Sequence, residues 1–178
     1  EARAAVLRRF RDLARDAAPR LAELIAREVG KALWEAKGEA SLLAPKVDVT
    51  LIDGMKLVAP MRAAPNAHAT FHPRGVLAVL GPFNFPAHLP NGHIVPAIAT
   101  GNSVVFKPSE VAPAVGAQMA ELWREAGLPD GVLEVVQGAP QTGHALSVHP
   151  DIDAILFTGS YAVGRALREA TLDQPSKL

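Results

Sequence analysis

A chain of 178 residues, 49% hydrophobic and 20% charged, has the bulk for one packed domain and a fraction more. Lys plus Arg and Asp plus Glu each number 18, so formal net charge is zero, and no basic run with interleaved aromatics invites nucleic acid. With no cysteine, disulfides, thiolate metal sites and a cysteine nucleophile are excluded within these residues.

Residues 1–29 read as helix, because Val6, Phe10, Leu13 and Ala17 recur at steps of three or four among Arg and Asp. The many arginines of this stretch are balanced by acids, which makes a solvated face. Pro19 is expected to open a second helix carrying Leu21, Leu24 and Ile25, and Gly30 to end it. A third helix is expected over 32–49, with Leu33, Ala36, Ala40 and Leu43 on one side, Trp34 as a packing residue, and a kink or break at Pro45. Residues 51–66 have an irregular pattern and read as a link, and 69–72 as a short edge strand.

From Val76 the rhythm becomes regular. Short apolar strands at 76–80, 104–107, 133–136 and 154–158 alternate with helices at 87–99, 111–126, 141–147 and 160–170. The expected fold class is α/β, a Rossmann-like parallel sheet with flanking helices, preceded by N-terminal helices. The expected units are an N-terminal helical segment, 1–68, packed on a partial cofactor-binding α/β unit, 69–178. No apolar run approaches the ~20 residues of a membrane span, and no stretch resembles a signal peptide. A cytoplasmic protein with neither membrane nor nucleic-acid partner is therefore expected. The start at Glu1 and the end at Lys177-Leu178 read as those of an excerpt from a longer protein.

Three motifs carry chemistry. In Gly81-Pro82-Phe83-Asn84-Phe85-Pro86 a strand ends and a helix begins. An Asn amide at a helix start can donate to an oxyanion, yet Asn is also a preferred N-cap, and by residue type alone capping is the commoner use. In Lys107-Pro108-Ser109-Glu110 an ammonium at a strand end and a carboxylate three residues on suit the hydroxyls of a ribose; the plain alternative is a surface ion pair. A carboxylate there would repel a 2′-phosphate, favouring NAD over NADP. In Phe157-Thr158-Gly159-Ser160-Tyr161-Ala162-Val163-Gly164 a turn opens a helix, whose free N–H groups suit a phosphate. It is neither the G-x-G-x-x-G fingerprint nor a P-loop. The six histidines are scattered, and no metal site is expected.

Taken in order, these motifs resemble the aldehyde dehydrogenase superfamily, as do Pro96-Ala97-Ile98-Ala99-Thr100-Gly101-Asn102 and Gly127-Leu128-Pro129-Asp130-Gly131-Val132 between them. The resemblance is strongest from about Arg74 to Gly164 and weakest over 55–66. Within the family, residues 85–96 are most similar to the branch that oxidises N-succinylglutamate semialdehyde in arginine degradation. The resemblance implies that Asn84 serves the oxyanion. It places Phe83, Lys107, Ser109, Glu110, Pro140, Gly143, Phe157, Gly159, Ser160, Val163 and Gly164 about NAD, and His88, Leu89 and Gly92 near a small-molecule aldehyde. It further implies a cysteine thiolate that attacks the aldehyde, hydride transfer to NAD, a glutamate that activates water, and a homo-oligomeric parent. The family's cysteine and general base would lie downstream of this chain and its oligomerisation strands outside it, so an inactive excerpt is expected; the alternatives are an aldehyde dehydrogenase for another aldehyde substrate and a non-catalytic nucleotide-binding module.

Overall fold

A computed structural model describes residues 1–174 and 177. Pro175, Ser176 and Leu178, at the end of the predicted second unit, lie outside the described residues. α1 (Ala2–Val29) runs unbroken through Pro19, which corrects the expected helix start at that residue. The reason is its buried stripe: Leu7, Phe10, Ala14, Leu21, Ala22 and Ile25 continue on one face past the proline. Packing of that stripe outweighs the ~3 kcal/mol that an internal proline costs. Gly30 ends α1 in the left-handed region, φ 69°, as expected for a helix stop.

The helix expected over 32–49 is two helices, α2 (Leu33–Ser41) and α3 (Leu43–Val49). The break falls at Leu42 rather than at Pro45. Pro45 acts one turn upstream, since its ring crowds the carbonyl four residues back, at Ser41. Pro45 itself sits in the first turn of α3, where no intrahelical N–H bond is needed. Ala36, Ala40 and Leu43 are buried, but Leu33 stays 45% exposed, and Trp34, expected to pack, is 76% exposed. At ~100° per residue Trp34 points away from the Ala36–Ala40 face.

A π-helical turn at Thr50–Gly54 and a single turn, α4 (Met55–Leu57), follow. β1 (Met61–Ala64) and β2 (Ala67–Ala69) then pair antiparallel as a separate two-stranded sheet. The edge strand expected at 69–72 is therefore not formed. Pro65-Asn66, a turn-favouring pair, folds 61–69 back on itself and spends the strand residues in a hairpin.

The main sheet is parallel, in the order β5-β4-β3-β6. Its strands are β3 (Val76–Leu80), β4 (Ser103–Lys107), β5 (Leu133–Val135) and β6 (Ala154–Phe157). They alternate with α5 (His88–Ala99), α6 (Pro113–Glu125), α7 (Pro140–Val148) and α8 (Tyr161–Ala170). The expected strand–helix alternation is borne out to within a residue or two at each end. From β3 the chain steps outward to β5 and then returns past β3 to β6. Right-handed crossovers running in opposite directions place their helices on opposite faces.

The two faces have separate cores. On one, Leu77, Val79, Val104 and Phe106 meet α5, α6 and α1. On the other, Ala78, Leu80 and Ile155 meet Leu146 of α7 and Leu167 of α8. Phe10 of α1 stacks on Trp123 of α6 at 3.7 Å between centroids. Such a pair adds about 0.5–1.5 kcal/mol beyond its area. Glu28 at the end of α1 accepts from the Ala114 and Val115 N–H groups at 2.7 and 2.8 Å, capping α6, whose own N-cap residue Ala112 has no side-chain acceptor. Among the described residues no helix is long and apolar enough to cross a membrane.

Candidate functional site

Parallel register sets Leu80 beside Lys107 on β4 and beside Phe157 on β6, so three strands end on one line. Alternation along each strand sends all three side chains to the α7–α8 face. Above them lies a cleft of about 870 Å³ between α7 and α8, in the size range of small-molecule sites. Its walls are Pro140, Gly143 and His144 of α7 and Ala162, Val163 and Ala166 of α8, and Phe83, Asn84, Ser109 and Glu110 stand at its mouth. Every residue expected to hold the cofactor lines this cleft except Gly164.

Lys107 is 7% exposed, which surface lysines are not. Its Nζ donates to the Pro108 carbonyl at 3.0 Å and lies 3.4 Å from Glu110 Oε2. The lysine stem runs past Gly143, where an added Cβ would stand in ordinary contact, 3.7 Å from Lys107 Cδ. Glu110 itself is half exposed. A bond from its own backbone N–H, reinforced by the Lys107 ammonium, holds its carboxyl below the usual carboxylate range. The alternative of a loose surface pair does not fit a buried ammonium that faces a cleft.

The turn after β6 is shaped by Phe157. Its ring folds against Gly159, where any Cβ would overlap it, and touches Gly164 one turn into α8, where a Cβ would stand 3.4 Å away. Gly164 thus packs beside the strand end, with just enough room for a Cβ, rather than lining the cleft. Ser160 is the N-cap of α8, its Oγ accepting from Val163 N–H at 3.3 Å. The Tyr161 and Ala162 N–H groups have no acceptor among the described residues and remain open to an anion. We expect Gly159→Ala to cost about 1–3 kcal/mol by overpacking. Adding Phe157→Leu should restore most of it, as denaturant titration of the two variants would show.

Asn84 stands exposed at the mouth, in a bend. The capping alternative fails, because α5 begins at His88 with Ala87 as its N-cap. Two N–H groups at the start of α5 are instead taken by Glu39 of α2. Its Oε1 accepts from Ala87 and His88 at 2.9 and 3.1 Å. Among the described residues the Asn84 amide makes no hydrogen bond.

His88, Leu89 and Gly92 are half-buried on α5 and do not line the cleft. His88 Nδ1 is buried without a partner. A Cβ at Gly92 would meet nothing within 4 Å, so packing does not demand a glycine there. His93 was not singled out by sequence. It meets Thr158 Oγ1 at 3.2 Å and ties α5 to the end of β6. Burial, helped by the Lys46 charge, lowers its pKa. Glu39 and His144 were missed too, since a lone acid or histidine on a helix carries no spacing signal.

The same layout recurs in known proteins. The aldehyde dehydrogenase family model matches residues 1–177. The chain belongs to the aldehyde dehydrogenase family. It is 52% identical over 181 aligned residues to an N-succinylglutamate 5-semialdehyde dehydrogenase of Sphingopyxis alaskensis, and 51% identical to one of Caulobacter vibrioides. Both matches cover 99% of this chain but only 37% and 38% of those relatives, so the chain spans little more than a third of their length. Among solved members of the family, a lactaldehyde dehydrogenase superposes with TM-score 0.91 at 27% identity, over 99% of this chain and 38% of that one. A Sinorhizobium meliloti protein described as a methylmalonate-semialdehyde dehydrogenase, complexed with NAD, gives TM-score 0.90 at 35% identity, over 99% and 37%. An NADP-dependent enzyme of Escherichia coli gives 0.91 at 34%, over 99% and 37%.

Proposed function

We propose that residues 69–178 are the NAD-holding part of an aldehyde dehydrogenase, buttressed by the mainly helical residues 1–68, whose parent protein oxidises N-succinylglutamate semialdehyde to N-succinylglutamate. The observation that carries the cofactor reading is the buried Lys107, paired with Glu110 at the mouth of a cleft floored by three strand ends. The names of the curated relatives support the substrate.

The residues present fit a dinucleotide. Lys107 and Glu110 offer a donor and an acceptor to two ribose hydroxyls. The open N–H groups of Tyr161 and Ala162 and the Ser160 hydroxyl suit a pyrophosphate. Val163, Pro140 and Gly143 make an apolar slot for a base. The Glu110 carboxylate disfavours a 2′-phosphate, which favours NAD over NADP. When bound, the cofactor would supply the acceptor for the hydride lost by the aldehyde carbon. Asn84, with a free amide at the mouth, would donate to the oxygen that gains negative charge as a nucleophile adds to the aldehyde. Its freedom from capping leaves both amide N–H groups for that task. Gly92 and His88 would shape the aldehyde side beyond Asn84.

The family nucleophile is a cysteine and none occurs in this chain, so catalysis by the parent relies on residues outside it. The same fact keeps a second reading, a non-catalytic dinucleotide-binding module. Oxidation of N-succinylglutamate semialdehyde by the full-length protein, compared with simple aldehydes, separates the two.

Glu110→Gln in the full-length protein should weaken NAD by roughly tenfold, the loss of one charged hydrogen bond, and leave folding unchanged. Calorimetry that finds equal affinity would remove the ribose role. The pH dependence has a defined sign. A lowered carboxyl stays ionised until the pH falls through its own depressed value, below the ordinary Glu range near ~4.3. NAD affinity should therefore be flat from about pH 8 to about pH 5 as far as this pair sets it.

A further inference from the structure

The Asn84 loop is held from a distance. At its start, Gly81 N–H donates to the Lys107 carbonyl at 2.9 Å. At its end, Glu39 Oε1 takes the Ala87 and His88 N–H groups. The Glu39 side chain is fully buried, and its other oxygen, Oε2, meets Lys31 Nζ at 2.6 Å. Lys31 Nζ in turn lies 3.9 Å from the ring centroid of Phe85, the residue next to Asn84. One ammonium thus touches both the cap of α5 and the neighbour of the oxyanion donor.

We propose that Lys31 and Glu39 are positioning residues that fix the direction of the Asn84 amide. The inference rests on the oxyanion role proposed above. An amide with no bond of its own takes its orientation from the backbone that carries it. That backbone runs between two anchors. The carboxylate fixes the downstream one at the helix start, where negative charge is favoured. The ammonium over the Phe85 ring holds the residue between anchor and donor, an attraction that strengthens as water is excluded. The Lys31 side chain is only 11% exposed, so little water competes at the ammonium, while the Phe85 ring is 40% exposed. A donor displaced by a fraction of an ångström from a developing oxyanion loses much of its effect.

The test is a double-mutant cycle in the full-length protein, with Lys31→Met, Asn84→Ala and the pair. Lys31→Met should lower kcat on the order of tenfold, consistent with a misaligned donor, while the KM for NAD stays within about twofold; Lys31→Arg should recover most of the loss. In the Asn84→Ala background Lys31→Met should cost nothing further. Losses that multiply in the double variant would overturn the inference while leaving Asn84 its role. So would a Lys31→Met protein that is less stable but turns over at the original kcat. Full activity of Asn84→Ala alone would instead remove the oxyanion reading, and the inference with it. Phe85→Leu, which deletes the ring and spares the Lys31–Glu39 pair, takes the place of Lys31→Met in the cycle if that variant does not fold.

Discussion

Asn84→Ala in the full-length protein should lower kcat by roughly 10²–10³-fold, the cost of removing one oxyanion donor, with almost no change in stability. The second half of that expectation comes from the fold. Were Asn84 the N-cap of α5, its loss would cost about 1 kcal/mol. It is not the cap: Ala87 holds that position, and a carboxylate from α2 accepts from the Ala87 and His88 N–H groups. Steady-state kinetics beside thermal unfolding of the same sample reads both quantities. A stability loss with full activity would return Asn84 to a structural role.

Glu39→Ala should be strongly destabilising, on the order of 3 kcal/mol. It strips the Lys31 ammonium of its carboxylate and leaves the Ala87 and His88 N–H groups without an acceptor. The penalty comes from stranding buried partners, more than from the pair's own attraction. Glu28→Ala is the natural comparison. It too caps a helix, α6, but at a more exposed site, and should cost about 1 kcal/mol. Urea denaturation of the two variants, followed by tryptophan fluorescence, ranks them; equal costs would mean that burial of the Glu39 pair adds nothing.

What the sequence made legible was local. β3 and β4 are short, largely apolar runs closed by Gly-Pro and by Lys-Pro, and the expected span of β3, Val76–Leu80, matches to the residue. Lys107, Ser109, Glu110, Phe157, Gly159 and Ser160 were legible because family motifs place them at or just after strand ends, where a doubly wound sheet presents its loops, whereas His144 on α7 was not. The N-terminal misreadings share one cause. Pro19 looks like a helix start until the buried stripe on both sides of it is seen. Trp34 looks like core until a nine-residue helix turns it outward. The hairpin at 61–69 hid in a stretch with no period-two pattern, since its residues are almost all exposed and burial imposes no alternation. Glu39 was invisible for another reason. The N–H groups it caps lie 48 and 49 residues away, and no local rule distinguishes a helix acid that faces solvent from one that caps a distant helix.

The position of the bound cofactor tests the roles of Lys107 and Glu110 most directly. A crystal structure of the full-length protein with NAD should place the adenosine ribose against Lys107 and Glu110, the pyrophosphate at the N-terminus of α8 beside Ser160, and the base in the slot of Val163, Pro140 and Gly143. NAD bound away from the α7–α8 cleft, or bound in it with the ribose hydroxyls clear of both Lys107 and Glu110, would contradict it.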